Sequence, residues 1–102
     1  MIGYTTLGTG DLERARAFYD AVLAPLGGKR TLTYENSQYY GTKPHRAALG
    51  ITRPFDGAPQ SVGNGVMVAL NAPPEGAVDE AYAAAMAAGG ACEGPPGPRG
   101  DF

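Results

Sequence analysis

Histidine and cysteine, the side chains that most often ligate metals or act as nucleophiles, occur once each in this chain of 102 residues, as His45 and Cys92. A catalytic metal site of the common kind takes about three protein ligands drawn from imidazole, thiolate and carboxylate. Most of the carboxylates fall on predicted helices or in loops: Asp11, Glu13 and Asp20 around the first helix, Glu75, Asp79 and Glu80 on the second, Asp56 and Asp101 in loops. Glu35 and Glu93 are left to point from strands into a cavity, and two carboxylates do not make a metal site. His45 sits among Lys43, Pro44 and Arg46 with no acid nearby in sequence to orient it. It is expected to be a solvated loop histidine rather than a general base, which needs an orienting partner and a substrate within reach. Cys92 follows the pair Gly89-Gly90 with no neighbouring cation to lower its pKa, and is expected to be a buried or half-buried structural thiol.

Tyrosine is the better represented chemistry. Tyr34, Tyr39 and Tyr40 cluster on two adjacent predicted strands and, with Phe55, could give an apolar cavity a few hydroxyl handles. Half-exposed strand aromatics, favoured there for packing, are the alternative. Alternation along a strand sends only one of Tyr39 and Tyr40 to the inner face. Tyr19 and Tyr82 belong to helix faces and to the core. The turn Gly8-Thr9-Gly10 precedes a helix but is not a phosphate loop, because Asp11 puts negative charge where a phosphate would sit.

These residues must be held by alternating strands and helices. Residues 2–7 form a predicted strand, and Asp11 is a suitable N-cap for a helix over 11–26 that ends at Gly27-Gly28. Leu12, Ala15, Phe18, Tyr19, Val22, Leu23 and Leu26 recur at three- and four-residue steps, so that face must lie on an apolar layer. Strands are predicted at 29–35, 38–41 and 47–52, with Asn36-Ser37 as a turn. Residues 55–64 form a linker, 65–71 a buried strand, and 75–88 a second helix ending at Gly89-Gly90. Leu7, Leu12, Phe18, Val22, Met67, Val78 and Met86 are the predicted core.

The net charge of -2 and the lack of a Lys/Arg cluster argue against a grip on nucleic acid. No stretch approaches the roughly 20 apolar residues of a membrane span. The N-terminus shows no signal-peptide pattern, and the lone cysteine suits a reducing compartment, so the expected location is cytoplasmic.

The run Asp11-Leu12-Glu13-Arg14-Ala15-Arg16-Ala17-Phe18-Tyr19-Asp20, set behind a strand and a glycine turn and closed by Leu23-Ala24-Pro25-Leu26-Gly27, resembles the first module of the glyoxalase/bleomycin-resistance/extradiol-dioxygenase superfamily, the vicinal oxygen chelate proteins. The resemblance implies an α+β fold: paired β-α-β-β-β modules forming a curved mixed sheet with helices on its outer face. Module one would span about 1–54, and a second, incomplete module would span 65–102, its last two strands being absent. It also implies metal-ligand positions at Tyr4, at about Gly50 and at about Val66, with a fourth beyond Phe102. None of the three holds a ligand, so no cofactor is expected, and Tyr4 becomes a candidate for the pocket instead.

The resulting expectation is a metal-free protein that binds a small apolar or aromatic ligand in a pocket lined by Tyr4, Thr6, Gly50, Thr52, Val66 and Val68, with Tyr39 or Tyr40 at its mouth. An open sheet edge invites pairing with a second copy, so a homodimer is expected. Two alternatives stand beside this. One is a divalent-metal lyase resembling lactoylglutathione lyase, or a dioxygenase, with ligands in the missing C-terminal part; the other is a non-catalytic dimerisation module.

Overall fold

The computed structural model of the protein describes residues 1–43, 46–72, 76–98 and 100. Its elements are β1 (Tyr4–Gly8), α1 (Leu12–Leu23), β2 (Lys29–Thr33), β3 (Ser37–Gly41), β4 (Ala48–Thr52) and α2 (Ala77–Ala87), with a 3-10 turn at Ala24–Leu26. The four strands make one mixed sheet in the order β1-β4-β3-β2, with β1 parallel to β4 and the other pairs antiparallel.

The signals for α1 act as expected. Asp11 is extended at the N-cap, and its Oδ1 accepts the Arg14 backbone N–H at 3.1 Å. Pro25 leaves the α-helix in the 3-10 turn, and Gly27 closes that turn at φ +81°, a left-handed conformation that glycine adopts without steric cost. The apolar stripe of α1 then lies on one face of the sheet. Leu23, Tyr40, Leu49 and Ile51 form the buried cluster, with Leu7, Ala15, Tyr19, Leu26 and Val68 packed around it. Leu12 is also buried, while Leu7, Phe18, Val22 and Met86 are half-buried.

Polar groups tie the layers together. Arg16 on α1 donates from Nε to Oε1 of Gln38 at 3.2 Å and from Nη2 to the Tyr34 carbonyl at 2.7 Å, and also pairs with Glu13. Gln38 is fully buried and donates in turn to the Leu32 carbonyl at 3.0 Å. Arg30 and Asp20 form a two-pronged ion pair at 2.9 and 2.8 Å, and Tyr40 Oη donates to Asp20 at 3.0 Å.

The second half departs from expectation. Residues 66–70 form no strand; Val66 instead donates to the Gly63 carbonyl in a turn, and Met67 is 89% exposed. A strand needs a hydrogen-bonded neighbour, and among the described residues no strand pairs with this segment, so its hydrophobic run alone does not make one. Val68 still reaches the core cluster. The helix predicted at 75–88 is α2, and Pro73 to Glu75 lie outside the described residues. It packs mainly on α1 and the 3-10 turn rather than on a sheet, using Ala77 and its small neighbours, so Val78 is turned outward and 53% exposed. Met67 and Val78 are therefore surface residues, not core. Among the described residues no helix is long and apolar enough to cross a membrane.

Candidate functional site

Alternation along the strands gives the sheet two unlike faces. Tyr40, Leu49 and Ile51 face α1, so their neighbours Tyr39, Ala48, Gly50 and Thr52 face the other way. The strand pairing arranges this open face in rows. One row carries Tyr4 beside Ala48, with Gly41 beside Lys29 further across. The next runs Thr6, Gly50, Tyr39, Leu32, and the last brings Gly8 and Thr52 to Ser37, whose carbonyl accepts from Tyr34 N–H at 2.9 Å.

Gly50 sets the place of the Tyr39 ring. A methyl group at Gly50 would lie 2.7 Å from Cε1 of Tyr39 and 3.1 Å from Cγ2 of Thr6, so the Tyr39 ring rests on the backbone where any other residue would carry a side chain. Tyr39 meets Tyr4 edge to face at 5.4 Å and Tyr34 edge to face at 6.0 Å. Such perpendicular pairs are favourable and hold each ring in place. Together with Leu32 the three tyrosines wall a cavity of about 960 Å³ on the open face. A second cavity, about 470 Å³, lies on the helix side and is floored by Met67 to Asn71.

Of the expected pocket residues, the structure brings Tyr4, Thr6, Tyr39, Gly50 and Thr52 to the open face, with Thr52 at its far end. Tyr40 is not among them. It is 2% exposed on the α1 side, where burial and its bond to Asp20 push the phenol up to about 12. Val68 also belongs to the α1 side, and Val66 is an exposed residue off the sheet. Phe55 is fully exposed in a turn, away from the cavity it was expected to line. Glu35 and Glu93 are exposed and line neither cavity, and His45 lies outside the described residues. Cys92 is exposed rather than buried, and its Sγ accepts from Tyr82 Oη at 2.9 Å. Sequence reasoning missed Lys29, Leu32, Thr42, Lys43 and Arg46 as parts of the wall. The register shift between Arg30 and Leu32 turns Arg30 to Asp20 and sets Leu32 opposite Tyr39, an irregularity that simple alternation does not reveal.

Among the described residues, the implied ligand positions do not fit a divalent metal. Tyr4 and Gly50 share the open face, but they offer a phenol and a bare backbone, and Tyr39 fills the space where a ligand side chain at Gly50 would project. Among the described residues no group of three His, Cys, Asp or Glu side chains converges.

A β-α-β-β-β unit in strand order 1-4-3-2, with its helix on one face of a mixed sheet and a recess on the other, defines a small α+β module. The sequence profile of the Glyoxalase/Bleomycin resistance protein/Dioxygenase superfamily matches residues 1–101. A glyoxalase/bleomycin resistance protein from Albidiferax ferrireducens T118, known from its crystal structure, superimposes with a TM-score of 0.86 at 35% identity, over 97% of this chain and 82% of that one. No curated protein matches the chain. The chain belongs to the glyoxalase/bleomycin resistance/dioxygenase superfamily.

Proposed function

We propose that this protein binds a small aromatic molecule, without a metal, on the open face of its sheet. The observation that carries this is the Tyr39 ring, seated on the bare backbone of Gly50 and met edge to face by Tyr4 on one side and Tyr34 on the other. Aromatic walls with a few hydroxyl groups suit a flat, largely apolar ligand. A lone exposed thiol suits a reducing, cytoplasmic setting.

The test is a thermal-shift screen with a panel of aromatic compounds. A ligand present at 100 times its Kd stabilises the folded state by about 2.7 kcal/mol. Hits should raise the melting temperature of the wild type and do so much less in Tyr39→Leu and Tyr4→Ala. Equal shifts in all three proteins would remove the tyrosines from the site. Stoichiometric zinc, nickel or iron in protein purified without added metal would replace this reading with a metal-dependent lyase or dioxygenase.

The same reading includes a homodimer. Strand β1 pairs with β4 on one side, and on its other side no strand pairs with it among the described residues. Ile2 and Met67, both exposed, stand by the same cavity next to it. A free edge flanked by apolar side chains is a template for pairing with a second copy.

A further inference from the structure

The cavity on the open face has a charge the rest of the chain does not share. The protein carries ten acidic and eight basic residues, yet Lys29, Arg30, Lys43 and Arg46 all line this cavity and, among the described residues, no Asp or Glu does. Arg30 is neutralised by its two-pronged pair with Asp20. Lys29, Lys43 and Arg46 have no ion pair among the described residues.

These cations are not spread evenly around the tyrosines. Lys29 stands opposite Gly41, and Lys43 and Arg46 belong to the loop that leaves β3 and enters β4, so all three gather where β3 ends. Tyr34 marks the opposite end, at the β2–β3 turn, and Tyr39 stands between them. Two residues along a strand cover roughly 7 Å, so a ring held against Tyr39 leaves room for one short substituent to reach the cationic end. Gly41 and Ala48 floor that path with almost no side chain in the way.

Resting on the aromatic-binding reading above, we propose that the ligand class is an aromatic carboxylate: a flat ring against Tyr39 and Tyr4, and an anion one or two bonds from the ring among Lys29, Lys43 and Arg46. Exposed cations hold an anion loosely one at a time, but three lining the same end of one cavity, beside a low-dielectric aromatic wall, select for charge.

The experiment uses 1-naphthaleneacetate and 1-naphthaleneacetamide, which share ring and size and differ in charge, with Kd measured by titration calorimetry. The acid should bind at least about tenfold more tightly than the amide at low salt. Its advantage should shrink between 50 and 500 mM NaCl, since the screening length falls below roughly 10 Å above about 0.1 M. In Lys29→Gln/Lys43→Gln/Arg46→Gln, and to a lesser degree in Lys43→Gln alone, acid and amide should bind alike. Equal wild-type affinities for the two, both lost in Tyr39→Leu, would overturn the carboxylate proposal and leave the aromatic site standing. An acid preference that survives in the triple variant, or no binding of either probe, would also overturn it. The aromatic reading itself falls only if the wider panel finds no ligand that depends on Tyr39.

Discussion

Gly50 shows how a single position decides the site. Adding one methyl there brings a carbon to 2.7 Å from the Tyr39 ring, closer than two carbons can rest, so the ring must leave its place between Tyr4 and Tyr34. Gly50→Ala is expected to cost about 1–3 kcal/mol, the usual range for overpacking, and to weaken aromatic ligands far more than the stability loss explains. Urea unfolding and ligand titration of the same sample check both halves. Asp20 gives a second test. The bond from the Arg30 guanidinium holds its carboxyl below the usual range, helped by the Tyr40 hydroxyl and opposed by burial. A carboxylate with a lowered folded pKa contributes stability above its unfolded pKa, about 3.9, and that contribution is lost as pH falls through the lower folded value. Asp20→Asn keeps an acceptor for Tyr40 but loses the ion pair, which is partly exposed. It should therefore be less stable than the wild type by about 1 kcal/mol near neutrality, with the two unfolding curves converging at low pH.

At the scale of elements, the sheet face depends on how α1 grips the β2–β3 hairpin. Arg16 reaches from the helix to the Gln38 side chain and the Tyr34 carbonyl, and Gln38 has no water to turn to. Removing the guanidinium leaves the buried Gln38 Oε1 without a donor, a loss of about 1–3 kcal/mol. Arg16→Ala should accordingly lower the urea midpoint and speed hydrogen exchange at the Tyr34 amide. Arg16→Lys should recover only part of this, because an ammonium cannot span both acceptors. None of this was legible beforehand. The helical stripe of α1 announces which face is buried, but the long-range partners of Arg16 depend on how helix and hairpin are juxtaposed. The first four strands and α1 could be read because periodicity, the Asp11 cap and the glycine stop agree. The 65–71 segment could not, since its apolar run is equally that of a chain crossing the core edge without a partner strand, where Val68 alone is drawn in.

The whole molecule poses the question of what covers β1. Tyr4 and Thr6 were readable as inward residues because alternation fixes them once the face is known, whereas the outer edge of β1 has no signal in the residues themselves. Its hydrogen-bonding groups face away from β4, with Ile2 at 61% and Met67 at 89% exposure nearby. In a homodimer that edge would be covered by its copy, burying both side chains and enclosing the mouth beside Tyr4. Light scattering over a dilution series should then show twice the chain mass at micromolar concentration, with dissociation on dilution. Ile2→Lys/Met67→Lys places charge beside the edge at two exposed positions that are not members of the core cluster, so it should yield a folded monomer with an unchanged far-ultraviolet spectrum. If ligand affinity falls together with dimer mass in that variant, the second copy completes the site. If affinity is retained by the monomer, the open face of one chain binds by itself. A wild type that stays monomeric at every concentration would mean that the edge is protected within a single chain.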